Sequence, residues 1–160
     1  MSAPSHLDAA GRARMVDVST KEPTRRTARA TGALRMSAPA LAMVVEGGLP
    51  KGDAPAVARV AGILAAKRTP DLLPLCHPLP LEHVAVEVVP DPALPGLRVE
   101  ASVVTIARTG AEMEALSAVA VALLTLYDMI KSVDRGMVIE AVRLESKTGG
   151  AGGTYAGARE

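Results

Sequence analysis

Two charged sets in this 160-residue chain have spacings that could move protons. Asp128 and Lys131 stand three residues apart, which places them on one face of a helix. On an open surface that is an ordinary ion pair. At the end of a buried apolar helix, a lysine beside a carboxylate can be tuned to exchange protons near neutral pH. Glu112-Met113-Glu114 lies sixteen residues earlier. Acidic residues at a helix start complement the dipole, so they argue for chemistry only if they face a cleft. Lys51 precedes Asp53, a residue suited to cap a helix, and a lysine beside a helix N-terminus attracts anions. Leu75-Cys76-His77 is held between prolines at 70, 74, 78 and 80, a stiff backbone that suits a ligand contact. Cys76 and His77 are too few for catalytic zinc, so no metal site is expected and hydrogen bonding is the better role. Asp17, Lys21, Arg25 and Arg26 cluster in a polar arm that, alone, would be solvated charge.

The elements that must position these residues follow from patterning. Arg29–Met36 can form a strand. Ser37 then caps a short helix that ends at Gly47-Gly48. Asp53 caps a second helix carrying Val57, Val60, Ala61 and Leu64 at core-facing spacing, with Thr69-Pro70 expected to end it. Val84, Val86 and Val88 alternate as in a strand, and Leu97–Ala107 forms the second arm of a hairpin. Thr109 to Glu112 has the form of a capping box, opening a long helix to about Lys131. Met137–Glu145 supplies the last strand. The order predicts an α+β fold: a ferredoxin-like split βαβ sandwich with an antiparallel sheet and helices on one face. A polar N-terminal arm spans 1–27, one catalytic domain 28–146, and a glycine-rich flexible tail 147–160. The long helix is apolar nearly all round, which predicts a partner subunit on its far side and hence an oligomer.

Composition narrows the class. The chain has no Phe or Trp and two Tyr, so its core is Ala, Val, Leu, Ile and Met. Eighteen basic and 17 acidic residues leave a charge of +1, which argues against a nucleic-acid partner, as does the lack of stacking residues. One cysteine permits no intrachain disulfide. The N-terminus has no signal-peptide core, and the apolar stretch Ala115–Tyr127 is shorter than the ~20 residues that span a bilayer, so a cytoplasmic protein without membrane contact is expected.

Seven stretches then carry a resemblance. They are Met15-Val-Asp-Val-Ser19, Lys51-Gly-Asp53, Ala66-Lys-Arg-Thr69, Asp71-Leu-Leu-Pro-Leu-Cys-His-Pro-Leu79, Glu112-Met-Glu-Ala-Leu116, Tyr127-Asp-Met129 and Lys147-Thr-Gly-Gly150. In combination and order they resemble the cyclic pyranopterin monophosphate synthase family over roughly residues 6 to 153. The resemblance implies a lyase of molybdenum cofactor biosynthesis. Its substrate would be a cyclic 7,8-dihydro-GTP, rearranged to cyclic pyranopterin monophosphate with release of pyrophosphate. By similarity Asp128 is the catalytic acid/base, and Lys51 and Lys131 are the essential lysines. Leu75, Cys76, His77, Glu112, Met113 and Glu114 match substrate-binding segments, joined by Asp17. Lys21, Arg26 and Lys147 match cations that hold the triphosphate. No cofactor is implied beyond magnesium accompanying the pyrophosphate. The implied assembly is a homohexamer, a trimer of dimers with sites shared between subunits. Arg108 stands where relatives often carry Lys, and Thr148 where they often carry Ser. The alternative is a ferredoxin-like oligomer that binds a small ligand without chemistry.

Overall fold

In the computed structural model, which describes residues 6–157, the chain leaves its arm into β1, Thr24–Arg35. The extremities of the expected arm and tail, residues 1–5 and 158–160, lie outside the described residues. Two helices follow, α1 (Ala38–Glu46) and α2 (Ala54–Leu72). The hairpin β2 (Leu81–Asp91) and β3 (Gly96–Ala107) leads to α3 (Glu112–Ile130), β4 (Val138–Thr148) and a two-residue β5 (Tyr155–Ala156). The sheet order is β2-β3-β1-β4-β5, with every pairing antiparallel. The first four strands in that order, with helices after β1 and β3, make the expected α+β split βαβ arrangement.

Local chemistry explains most element ends. Ser37 Oγ accepts from Ala40 N–H to start α1, and Gly47 stops it at φ 74°, where its own N–H reaches back into the last turn. Asp53 accepts from Ala56 N–H at 3.0 Å to start α2. Alternation along β3 buries Leu97, Val99, Ala101, Val103 and Thr105 against the helices. On β1 the matching face is Ala28, Ala30, Gly32 and Leu34. A Cβ at Gly32 would sit 2.8 Å from both Leu123 and Val119, so the glycine lets α3 seat on the sheet.

Five expectations need correction. The first strand starts at Thr24, not Arg29: its polar first residues carry no apolar alternation but pair with the end of β3, Thr24 opposite Ala107 through Ala28 opposite Val103. Pro70 does not end α2: the helix runs to Leu72, since a proline in the last turn forfeits one backbone bond while its φ stays helical. The α2 stripe Val57, Val60 and Leu64 is not core; these residues are 46%, 66% and 53% exposed. Buried instead are Ala54, Ala58, Gly62 and Ala65, and a Cβ on Gly62 would come 2.9 Å from the Ala118 carbonyl of α3. The capping box at Thr109 does not form; Ala111 is the N-cap and no side chain caps it. Finally, α3 itself is long and apolar enough by composition to cross a membrane, yet it packs on the sheet and α2, with Ala115, Ala118, Val119, Ala122, Leu123, Leu126 and Ile130 fully buried.

Candidate active site

α2 and α3 pack side by side, and each end of the pair gathers functional groups. At the N-terminal end of α3 lies a cleft of about 440 Å³. One wall is the loop Leu75, Cys76, His77 and Leu79, which follows α2. Cys76 N–H closes a turn onto Leu73 O, and Thr105 Oγ1 donates to Pro80 O at 2.6 Å, so both ends of the loop are tied down. A second wall is Thr109, Gly110, Glu112, Met113 and Glu114. The third comes from the arm, through His6, Val16, Val18 and Lys21. Of these lining residues, His6, Val16, Val18, Leu79, Thr109 and Gly110 were not among the expected site residues; Val16, Val18 and Leu79 fall inside quoted motifs and Thr109 and Gly110 inside the expected capping box, whereas His6 carried no signal.

The cleft is electrically uneven. Glu114 is 3% exposed, and burial pushes its carboxyl from 4.5 up to about 7, with Glu112 adding repulsion of the same sign. Burial, and then the nearby Glu114, raise the Cys76 thiol, so it stays protonated at neutral pH. Glu112 folds back over Gly110, where a Cβ would push its carboxylate aside, and accepts from Lys147 Nζ at 2.7 Å across from β4. Glu112 makes no capping bond at the helix start, and its carboxylate is paired with Lys147 where it lines the cleft. Asp17 lies in the arm; Ser19 backbone and hydroxyl donors lower its pKa, with Arg14 and His77 close enough to favour the anion further. Arg26 does not line the cleft. Its Nε donates to Ala107 O at 3.0 Å and its Nη2 to Arg108 O at 3.2 Å.

The opposite end is built differently. Lys51, in the loop between α1 and α2, donates to the Asp128 carbonyl at 2.8 Å and to Asp128 Oδ2 at 3.0 Å. Lys131 Nζ reaches Asp128 Oδ1 at 2.7 Å. Hydrogen bonds from Lys131 and then Lys51 hold the Asp128 carboxyl below its ordinary range. Beside this cluster is a cleft of about 330 Å³ lined by Lys51, Tyr127, Lys131, Ser132 and Arg135. The expected desolvation of Asp128 and Lys131 is absent within one chain, where their side chains are 59% and 51% exposed. The helix ends before Lys131, so the pair sits on an open corner rather than inside the core. Asp134 steadies that corner, accepting from Ser37 N–H and Gly136 N–H at 2.8 Å each.

The fold thus brings Lys51, Asp128 and Lys131 together, and separately gathers Leu75, Cys76, His77, Glu112, Met113, Glu114, Lys21 and, through Glu112, Lys147. It does not bring the two groups together in one chain. Sixteen helical residues at 1.5 Å each separate Glu112 from Asp128 by ~24 Å. Among the described residues no three His, Cys, Asp or Glu side chains converge as a metal site.

Residues 15–150 match the MoaC family. A cyclic pyranopterin monophosphate synthase of Cereibacter sphaeroides is 58% identical over 155 residues, covering 97% of this chain and 98% of the relative. Proteins of the same name from Dinoroseobacter shibae and a Nostoc species are 57% and 56% identical, over 97% and 94% of the chain and 98% and 90% of their own lengths.

Proposed function

The chain belongs to the MoaC family, and from that premise we propose that it is a cyclic pyranopterin monophosphate synthase, a phosphorus–oxygen lyase of molybdenum cofactor biosynthesis. Its substrate is the (8S)-3′,8-cyclo-7,8-dihydroguanosine 5′-triphosphate and its products are cyclic pyranopterin monophosphate and pyrophosphate. The observation that carries this function is the complementary chemistry at the two ends of α3. One end offers a closed-in cleft with a carboxyl near pKa 7, His77 and Cys76; the other offers a carboxylate held between two lysines.

The rearrangement requires protons moved on and off ring nitrogens and ribose oxygens. With its carboxyl pushed up to about 7, Glu114 can give or take a proton near neutral pH. Asp128 acts as acid/base while Lys51 and Lys131 supply protons and offset charge. Closing the cyclic phosphate forms a bond from a ribose-derived hydroxyl oxygen to the α-phosphorus. The bond to the β-phosphate breaks, pyrophosphate departs, and the hydroxyl proton passes to a base. Lys21, which lines the cleft, and Lys147, beside Glu112, carry the positive charge suited to the triphosphate. No resident cofactor is needed, and magnesium would travel with pyrophosphate.

One substrate cannot bridge ~24 Å, so the site is shared. Two α3 helices running antiparallel about a two-fold axis bring the Glu112–Glu114 end of one chain to the Asp128–Lys131 end of another. The exposed Val57, Val60, Leu64 and Leu124 supply apolar surface for such contacts, and three dimers would complete a hexamer. The protein works in the cytoplasm.

The test is release of pyrophosphate from the cyclic dihydro-GTP; a ligand-binding module would retain the substrate unchanged. The shared site is tested by co-expressing a Glu114→Ala chain with a Lys131→Ala chain. Half of randomly formed dimers are mixed, each with one intact site, so about a quarter of normal activity returns. Mixed dimers that form but stay inactive would rule out sharing.

A further inference from the structure

Arg26 spends its guanidinium on the protein's own backbone. Its Nε and Nη2 donate to two successive carbonyls, Ala107 and Arg108, where β3 ends and the chain turns toward Thr109, Gly110 and Glu112. Arg108 in turn sends its Nε to the Lys21 carbonyl at 2.7 Å, which fastens the arm to the same corner. On its other side Arg26 lies against the turn after Lys147. There Gly149 and Gly150 adopt φ of 93° and 75°, and a Cβ on Gly150 would overlap Arg26 Nη1. One planar group therefore meets three segments: the corner that presents Glu112, the turn that follows Lys147, and, through Arg108, the arm that presents Lys21.

We propose that Arg26 is a positioning residue, whose fork-shaped donors set the β3–α3 corner, the arm and the 149–150 turn relative to one another around the cleft. A guanidinium can satisfy two adjacent carbonyls from one plane; a lysine ammonium keeps the charge but not that geometry. Gly149-Gly150 belongs to the same device, because a Cβ at Gly150 would crowd the guanidinium and force it or the turn to shift. For activity this role rests on the synthase function proposed above, but the arrangement of the unliganded chain does not.

The experiment compares Arg26→Lys, Arg26→Ala and Gly150→Ala by amide hydrogen exchange without substrate, and by kcat and KM on the cyclic dihydro-GTP. Arg26→Lys and Gly150→Ala are expected to speed exchange in segments 15–22 and 107–110. They should also lower kcat by roughly tenfold or more, since small misplacements at a site are costly, with Arg26→Lys behaving like Arg26→Ala. Wild-type exchange and kcat in Arg26→Lys, with only KM raised in Arg26→Ala, would overturn the proposal and leave Arg26 a simple phosphate contact. A wild-type chain that turned over no substrate would refute the synthase function instead, and the exchange rates would still decide the role of Arg26.

Discussion

The two ends of α3 each hold a carboxyl away from its ordinary acidity, and they do so in opposite ways. At the N-terminal end Glu114 is enclosed and its acidity is weakened by lost water. At the C-terminal end Asp128 stays in solvent and its acidity is strengthened by two ammonium groups. Enclosure tunes a group through what is removed, pairing through what is added. Only the first makes the fold pH-dependent near neutrality, and only the second can be cut away without touching the core.

The largest effect should come from breaking the pair. Lys51→Ala or Lys131→Ala is expected to lower kcat by about 10²- to 10⁴-fold, the usual range for a lost proton-transfer group. Thermal unfolding should barely move, because the lysines are exposed and surface changes cost about 0.5 kcal/mol or less. Loss of activity that tracked unfolding would make the lysines structural.

A smaller effect tests the enclosed end. The folded chain holds a proton on Glu114 that the unfolded chain has released above pH 4.5, so stability should fall as pH rises from about 4.5 to about 7. On the order of 3 kcal/mol is involved for a shift of that size. Denaturant unfolding at pH 5 and pH 8 should show the decline in the wild type and a flatter response in Glu114→Gln. Parallel curves would mean that the carboxyl is not desolvated. The smallest change concerns the arm. Lys21→Met should raise KM roughly three- to tenfold with kcat nearly intact, the scale of one charge-assisted contact. A drop in kcat alone would place Lys21 in the chemistry.

Much of this organisation was readable in the residues, and the failures share a cause. The hairpin, the caps at Ser37 and Asp53, and both charged ends of α3 are patterns among residues close together in the chain. What escaped were choices made by neighbours distant in sequence. Large side chains at Val57, Val60 and Leu64 look like core by hydrophobicity, but the buried face of α2 carries Ala54, Ala58, Gly62 and Ala65, with Gly62 close against the Ala118 carbonyl of α3. The bonds from Arg26 to Ala107 and Arg108 span about eighty residues and leave no periodic trace. Likewise Glu112 looks like a capping residue until Lys147, from β4, engages it.

The Ala and Gly seam between α2 and α3 has a mechanical meaning. Small side chains have no rotamers to exchange, so the seam can neither yield by repacking nor lose side-chain entropy when it forms. The helices run antiparallel: α2 has Lys51 before its start and His77 beyond its end, while α3 carries Glu114 and Asp128. The pair therefore behaves as a gauge block whose length fixes how far apart the two halves of the chemistry stand. A slip of one turn, about 5.4 Å, would part Lys51 from Asp128 and His77 from Glu114 in a single movement. Two such blocks laid head to tail would measure out two sites of the same length.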